Sequence, residues 1–139
     1  MSVLWKVLLL FFIMMPGIDW WQSRSLRKGA LPPSLRTVPV VTLDGSQLSP
    51  WSQDRYTVLY VFSPWCTVCK VSANNLNNLL ARNLHVVSLV LSWDRPDEVQ
   101  RFVHDTGLQT PVLLGRWDLA KELGIQTYPS YLLISPRGD

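Results

Sequence analysis

Apolar residues dominate the start of the chain. From Val3 to Trp21 only Lys6 near one end and Asp19 near the other break the run. A helix over that stretch spans roughly 28 Å, the thickness of a bilayer's hydrocarbon core. Trp5 at one side and Trp20 with Trp21 at the other suit the aromatic belts of a membrane interface. The rival reading is a cleaved signal peptide, but Met14-Met15-Pro16-Gly17-Ile18-Asp19 offers no small-residue cleavage site. A single transmembrane anchor over residues 1–21 is therefore expected, with a buried soluble helix as a third possibility. Residues 22–36 are polar and broken by Gly29, Pro32 and Pro33, so they are expected to link the anchor to a domain over 37–139.

Within that domain the pattern alternates between strand and helix. Val38–Leu43, Asp44-Gly45 and Ser46–Leu48 predict a small hairpin, because Asp-Gly supplies the positive φ of a tight turn. Thr57–Phe62 is too continuously apolar to be half exposed and predicts a central strand covered on both faces. After Cys66, the residues Val68, Val71, Leu76, Leu79 and Leu80 form a rough helical stripe with four asparagines between them. Val86–Leu91 predicts a second buried strand. Pro96–Thr106 predicts a helix with Pro at its start and Gly107 at its end, and Trp117–Leu123 a short helix closed by Gly124. Tyr131–Ile134 predicts a last strand. Such alternation implies βαβ units, hence an α/β fold on a largely parallel sheet.

Composition narrows the classes. A 139-residue chain that is 47% hydrophobic and 17% charged is a folding chain with room for one ordinary domain. The net charge of +3 is small, and the basic residues cluster only at Arg24, Arg27 and Lys28, beside the apolar segment. That placement marks a membrane–water boundary rather than a nucleic-acid surface, and no nucleic-acid partner is expected. The same cluster exceeds the charge before the helix by about one, which by the positive-inside rule favours a cytoplasmic domain.

The only two cysteines, Cys66 and Cys69, lie three positions apart. Zinc would need four ligands, and His85 and His104 stand at no zinc-binding spacing, so no metal is expected. A purely structural bridge gains little by closing so short a loop. The pair reads as redox-active. If Cys66 occupies the first turn of a helix, unpaired N–H groups and the dipole favour its thiolate and make it the nucleophile. The i, i+3 spacing then sets Cys69 one turn deeper as the resolving thiol. Cys66 attacks a substrate disulfide, a mixed disulfide forms, and Cys69 displaces it; the reverse order oxidises a substrate. No cofactor beyond the cysteine pair is required.

The core Trp65-Cys66-Thr67-Val68-Cys69-Lys70 after a buried strand resembles the active-site motif of the thioredoxin superfamily. The segment Leu123–Ile134, with Thr127-Tyr128-Pro129, resembles that superfamily's cis-proline segment. The resemblance covers roughly residues 38 to 139. It implies a mixed central sheet flanked by helices, with Pro129 cis against the disulfide and the Tyr128 backbone pairing with substrate. It makes Trp65, Thr67 and Val68 supporting residues around Cys66. The early hairpin, the anchor and an extra strand and helix between Ser92 and Leu114, an inserted βα unit, are similar to the membrane-bound TlpA and ResA branch. Within it the chain looks most like the suppressor-for-copper-sensitivity protein D group of periplasmic disulfide reductases. That likeness implies a protein-disulfide reductase in the inner membrane, its domain facing the periplasm, acting on protein thiols and disulfides and fed by a membrane-embedded reductant.

Two departures accompany the likeness. Tyr60 stands where many thioredoxins carry a buried Asp, and Ser72 where ResA-like members carry a Glu, so no acidic proton acceptor for Cys69 is evident. The chain stops at Ser135-Pro136-Arg137-Gly138-Asp139, where the family continues into a final strand and helix, both expected to be missing. Two other functions use the same cysteines. One is Cu(I) binding, for which Met1, Met14 and Met15 offer no thioether near the pair. The other is disulfide donation, for which Thr67-Val68 lacks the His of strongly oxidising relatives.

Overall fold

A computed structural model describes residues 3–23, 29–36 and 39–139. Helix α1 spans Val3–Ser23 with Pro16 inside it. Among the described residues no helix is long and apolar enough to cross a membrane. The basic residues Arg24, Arg27 and Lys28 lie outside the described residues.

Part of the stretch predicted to be a linker is packed. Pro33–Arg36 forms the short helix α2, for which Pro33 is pre-organised at the first helical position. Leu31 and Leu35 are buried in the core beside Trp51. Packing against the core therefore starts before residue 37: Leu31 precedes α2, where its N–H donates to the Gly138 carbonyl at 2.8 Å, and Leu35 lies within the helix.

The hairpin is shorter than predicted. Strands β1 (Val40–Val41) and β2 (Gln47–Leu48) pair antiparallel, with Val40 opposite Leu48. The loop between them closes on Asp44, whose carboxylate accepts from the Thr42 and Ser46 hydroxyls and the Ser46 N–H. Those bonds, Thr42 first, hold the Asp44 carboxyl at a pKa of about 2. Leu43 N–H donates to the Val112 carbonyl at 2.8 Å, which docks the hairpin against the main sheet.

That sheet has four strands: β3 (Thr57–Phe62), β4 (His85–Val90), β5 (Val112–Leu114) and β6 (Ser130–Ile134), in the order β5-β4-β3-β6. Pairings β3–β4 and β4–β5 are parallel, whereas β6 runs antiparallel to β3, with Tyr60 opposite Tyr131. The sheet is thus mixed. Alternation along β3 sends Leu59 and Val61 to one face, with α2 and helix α5 (Asp118–Leu123), and Tyr60 and Phe62 to the other. The second face holds helix α3 (Thr67–Ser72), helix α4 (Pro96–Thr106) and both cysteines.

The predicted long helix after Cys66 is broken. Helix α3 ends at Ser72 and a 3-10 helix carries the chain over Ala73–Leu79. Asparagines compete for hydrogen bonds and disfavour continuation. Asn77 instead brackets the end of α4, donating to the Gly107 carbonyl at 2.8 Å and accepting from the Gln109 N–H at 2.9 Å.

Candidate active site

The site forms where β3 runs out. Ser63-Pro64-Trp65 turns the chain, Cys66 caps α3 with extended backbone (φ −79°, ψ 114°), and Cys69 lies within the first turn and a half. The two cysteines are joined in a disulfide with Cα atoms 5.2 Å apart. The Cys69 N–H donates to Cys66 Sγ at 3.2 Å, so a free backbone donor of the helix start already points at that sulfur. When the bridge opens, this donor stabilises negative charge on Cys66. Cys66 keeps 7% of its surface exposed and Cys69 none, so an incoming thiol or disulfide reaches only Cys66.

Around Cys66 the surface is apolar and open. Trp65 is 66% exposed and Val68 61%, and Thr67 and Lys70 are exposed beside them. Across the cleft, the Tyr128–Pro129 peptide is cis. The Tyr128 carbonyl oxygen lies 3.5 Å from Cys66 Sγ, so the cis-proline segment borders the reactive sulfur directly. The Tyr128 ring meets Trp65 edge-on, with centroids 5.7 Å apart. The fold therefore gathers Trp65, Cys66, Thr67, Val68, Cys69, Tyr128 and Pro129 at one mouth from two segments about sixty residues apart.

Beneath the cysteines lies a connection invisible to pattern reading. Tyr60 and Ser72, the two positions without an acid, face each other: Tyr60 Oη is 3.1 Å from Ser72 Oγ and donates to the Cys69 carbonyl at 3.3 Å. Tyr60 is wholly buried between Phe62 and Tyr131. Burial pushes its phenol up from its ordinary value, against a smaller opposing effect of Ser72. Both groups stay neutral at physiological pH, so an uncharged hydroxyl pair underlies the resolving cysteine. Among the described residues no group of three or more His, Cys, Asp or Glu side chains is arranged to hold a metal ion.

Sequence reasoning also passed over Ser63 and Ser92. Ser63 Oγ–H donates to the Ser92 carbonyl at 3.2 Å, and the Trp65 indole N–H donates to the same oxygen at 3.0 Å. Small polar residues at loop positions carry no periodic signal; the positive φ of 54° at Ser92 emerges only in three dimensions.

With this geometry in place, the likeness to known proteins is informative. The family model described as AhpC/TSA matches residues 37–139. The chain belongs to the AhpC/TSA family. It is 26% identical over 145 aligned positions to sporulation thiol-disulfide oxidoreductase A of Bacillus subtilis, an alignment covering 99% of this chain and 88% of that protein. The crystal structure of StoA from Bacillus subtilis matches with a TM-score of 0.60 at 22% identity, over 77% of this chain and 86% of that one. A secreted Mycobacterium tuberculosis disulfide oxidoreductase homologous to E. coli DsbE matches with a TM-score of 0.63 at 19% identity, over 78% and 83%. At such identities the structural likeness carries the fold alone: thioredoxin-like, with a mixed sheet between helices. A bridged Cys-x-x-Cys pair at the helix start of that fold equips the chain as a thiol-disulfide oxidoreductase.

Proposed function

We propose that this protein reduces protein disulfides on the outer side of a cell membrane, cycling the Cys66–Cys69 pair. The observation that carries the reading is the asymmetry of the pair. Cys66 is reachable and holds a backbone donor aimed at its sulfur, while Cys69 is sealed behind it. In the reduced protein the Cys66 thiolate attacks one sulfur of a substrate disulfide. The substrate S–S bond breaks, one substrate thiolate leaves, and a mixed disulfide forms. The Cys69 thiolate then attacks Cys66 Sγ, releasing the second substrate thiolate and restoring the Cys66–Cys69 bond. The substrate gains two electrons, which a membrane-embedded reductant is proposed to resupply. Trp65, Thr67, Val68, Tyr128 and Pro129 form the substrate contact surface around Cys66.

The reductive direction and the placement in a TlpA- and ResA-like branch, near the suppressor-for-copper-sensitivity protein D group, are supported by three features. These are the Thr67-Val68 pair between the cysteines, the early hairpin, and the α4–β5 unit between Ser92 and Leu114. The placement outside the cell membrane rests on that branch and stands against the charge balance around α1.

A glutathione-buffered titration of the pair tests the direction. A midpoint near roughly −270 mV is expected, whereas one near roughly −120 mV makes the protein a disulfide donor. In the same preparation Cys69→Ser is expected to accumulate the mixed disulfide on Cys66, seen as a substrate-sized mass increase lost on reduction, and Cys66→Ser to accumulate none. Stoichiometric Cu(I) retention by the reduced protein without insulin reduction would turn the assignment to copper binding.

A further inference from the structure

Ser92 follows β4 and holds both walls of the active-site mouth at once. Among the described residues it is the one non-glycine at positive φ, 54°, a left-handed conformation that costs an L-residue free energy and is kept where surrounding contacts demand it. Its carbonyl accepts from the Trp65 indole N–H at 3.0 Å and from Ser63 Oγ at 3.2 Å. Its hydroxyl lies 3.1 Å from the Tyr128 hydroxyl. Trp65 belongs to the cysteine turn and Tyr128 to the segment across the cleft. Besides their edge-on ring contact, both rings are hydrogen-bonded to Ser92. Trp65 is mostly exposed, and its indole nitrogen and its edge-on contact with Tyr128 hold it in place, so the bonds to Ser92 help set how the two rings stand across the mouth.

We propose that Ser92 is a positioning residue that sets the mouth for an extended polypeptide carrying a disulfide, as opposed to a small free disulfide. The inference rests on the oxidoreductase function proposed above. A small disulfide needs only the Cys66 sulfur. A polypeptide must also lie against Trp65 and the Tyr128 segment, and the side chains of both are bonded to one serine. The left-handed backbone turns the carbonyl toward Trp65 and Ser63 while the hydroxyl faces Tyr128. Loss of the hydroxyl removes the hydrogen bond to the Tyr128 ring and leaves Trp65 bonded to the Ser92 carbonyl.

The test uses full-length protein, reduced and freed of reductant, and follows oxidation of the pair by a disulfide-bonded peptide and by glutathione disulfide. Ser92→Ala is expected to raise the half-saturating peptide concentration about fivefold, the worth of one neutral hydrogen bond. The limiting rate, the midpoint potential and the half-saturation for glutathione disulfide should move less than about twofold, a margin below the worth of that one hydrogen bond. Tyr128→Phe breaks the same bond from the other side. It is expected to raise the half-saturating peptide concentration as well, and the double variant no more strongly than the larger single effect. Ser92→Asn, whose side chain tolerates the left-handed backbone and can reach Tyr128, should restore peptide affinity. If Ser92→Ala fails to fold, Ser92→Gly, which suits the left-handed backbone and also lacks the hydroxyl, carries the same expectation. Equal effects on both substrates, additive effects in the double variant, or a shifted potential would overturn the inference. Wild-type protein that reacts with neither disulfide would overturn the oxidoreductase function and this inference with it.

Discussion

Tyr60 shows how much a single residue can decide in this fold. Its position on β3 places its hydroxyl under the Cys69 carbonyl, where Ser72 meets it, and burial keeps the phenol protonated. At these two positions an uncharged hydroxyl pair stands beneath Cys69, so neither residue repels a thiolate forming there and neither is a carboxylate base for its proton. Another residue governs a pH response away from the site. His85 at the head of β4 has its pKa lowered, chiefly by burial, with the Ser49 carbonyl opposing and Arg55 adding to the lowering. A histidine whose folded pKa lies below its unfolded value contributes stability fully present above that unfolded value, about 6.5, and lost as pH falls through the folded one. Urea unfolding midpoints should therefore drop below about pH 6.5 more steeply for the wild type than for His85→Gln, measured at matched ionic strength.

Elements are joined here at points where space, not propensity, is limiting. After β5 the chain crosses the end of β4 at Gly115. A Cβ built there would lie 2.5 Å from Leu91 Cδ2, 2.8 Å from Leu89 Cδ1 and 2.9 Å from the Val90 carbonyl oxygen. The leucine tips can shift, but the carbonyl belongs to a central strand. It also accepts the Gly115 N–H at 3.0 Å, which holds the two backbones together. Gly115→Ala is thus expected to cost about 1–3 kcal/mol, the usual range for overpacking a core, read as a lower denaturation midpoint with an unchanged m-value. The broken helix after Cys66 follows a related logic. Asn77 gains bonds to Gly107 and Gln109 that tie the 3-10 helix to α4, the other flank of the site.

At the scale of the whole molecule, one compact unit is joined to a helix of different character. From Val7 to Met14, eight consecutive apolar residues of α1 are each at least 46% exposed. Exposed apolar surface on every side suits lipid better than water, and this supports membrane association even though no described helix meets the length and hydropathy needed to cross. Full-length protein is expected in the membrane fraction and resistant to a carbonate wash. Removal of residues 1–23 should release it to the soluble fraction; recovery of the intact chain in that fraction would overturn the anchor expected from the sequence. Below α1, Leu31 and Leu35 belong to the core, so a cut placed at residue 37 would expose part of it.

Local chemistry made much of this protein legible from its residues alone. A run such as Thr57–Phe62 has one stable use, as a covered strand, and Pro96 and Gly107 bound a helix whatever surrounds it. Two cysteines three apart after such a strand leave little choice of chemistry. Tertiary structure decided what depends on neighbours distant in the chain. The pairing of Tyr60 with Ser72, the burial of Leu31 and Leu35, the helix break at the asparagines and the two-sided grip of Ser92 each require partners that local periodicity does not reveal. Hydrogen bonds between loops and close packing across a sheet are set by where the backbone is carried, and that is settled only when the whole core closes.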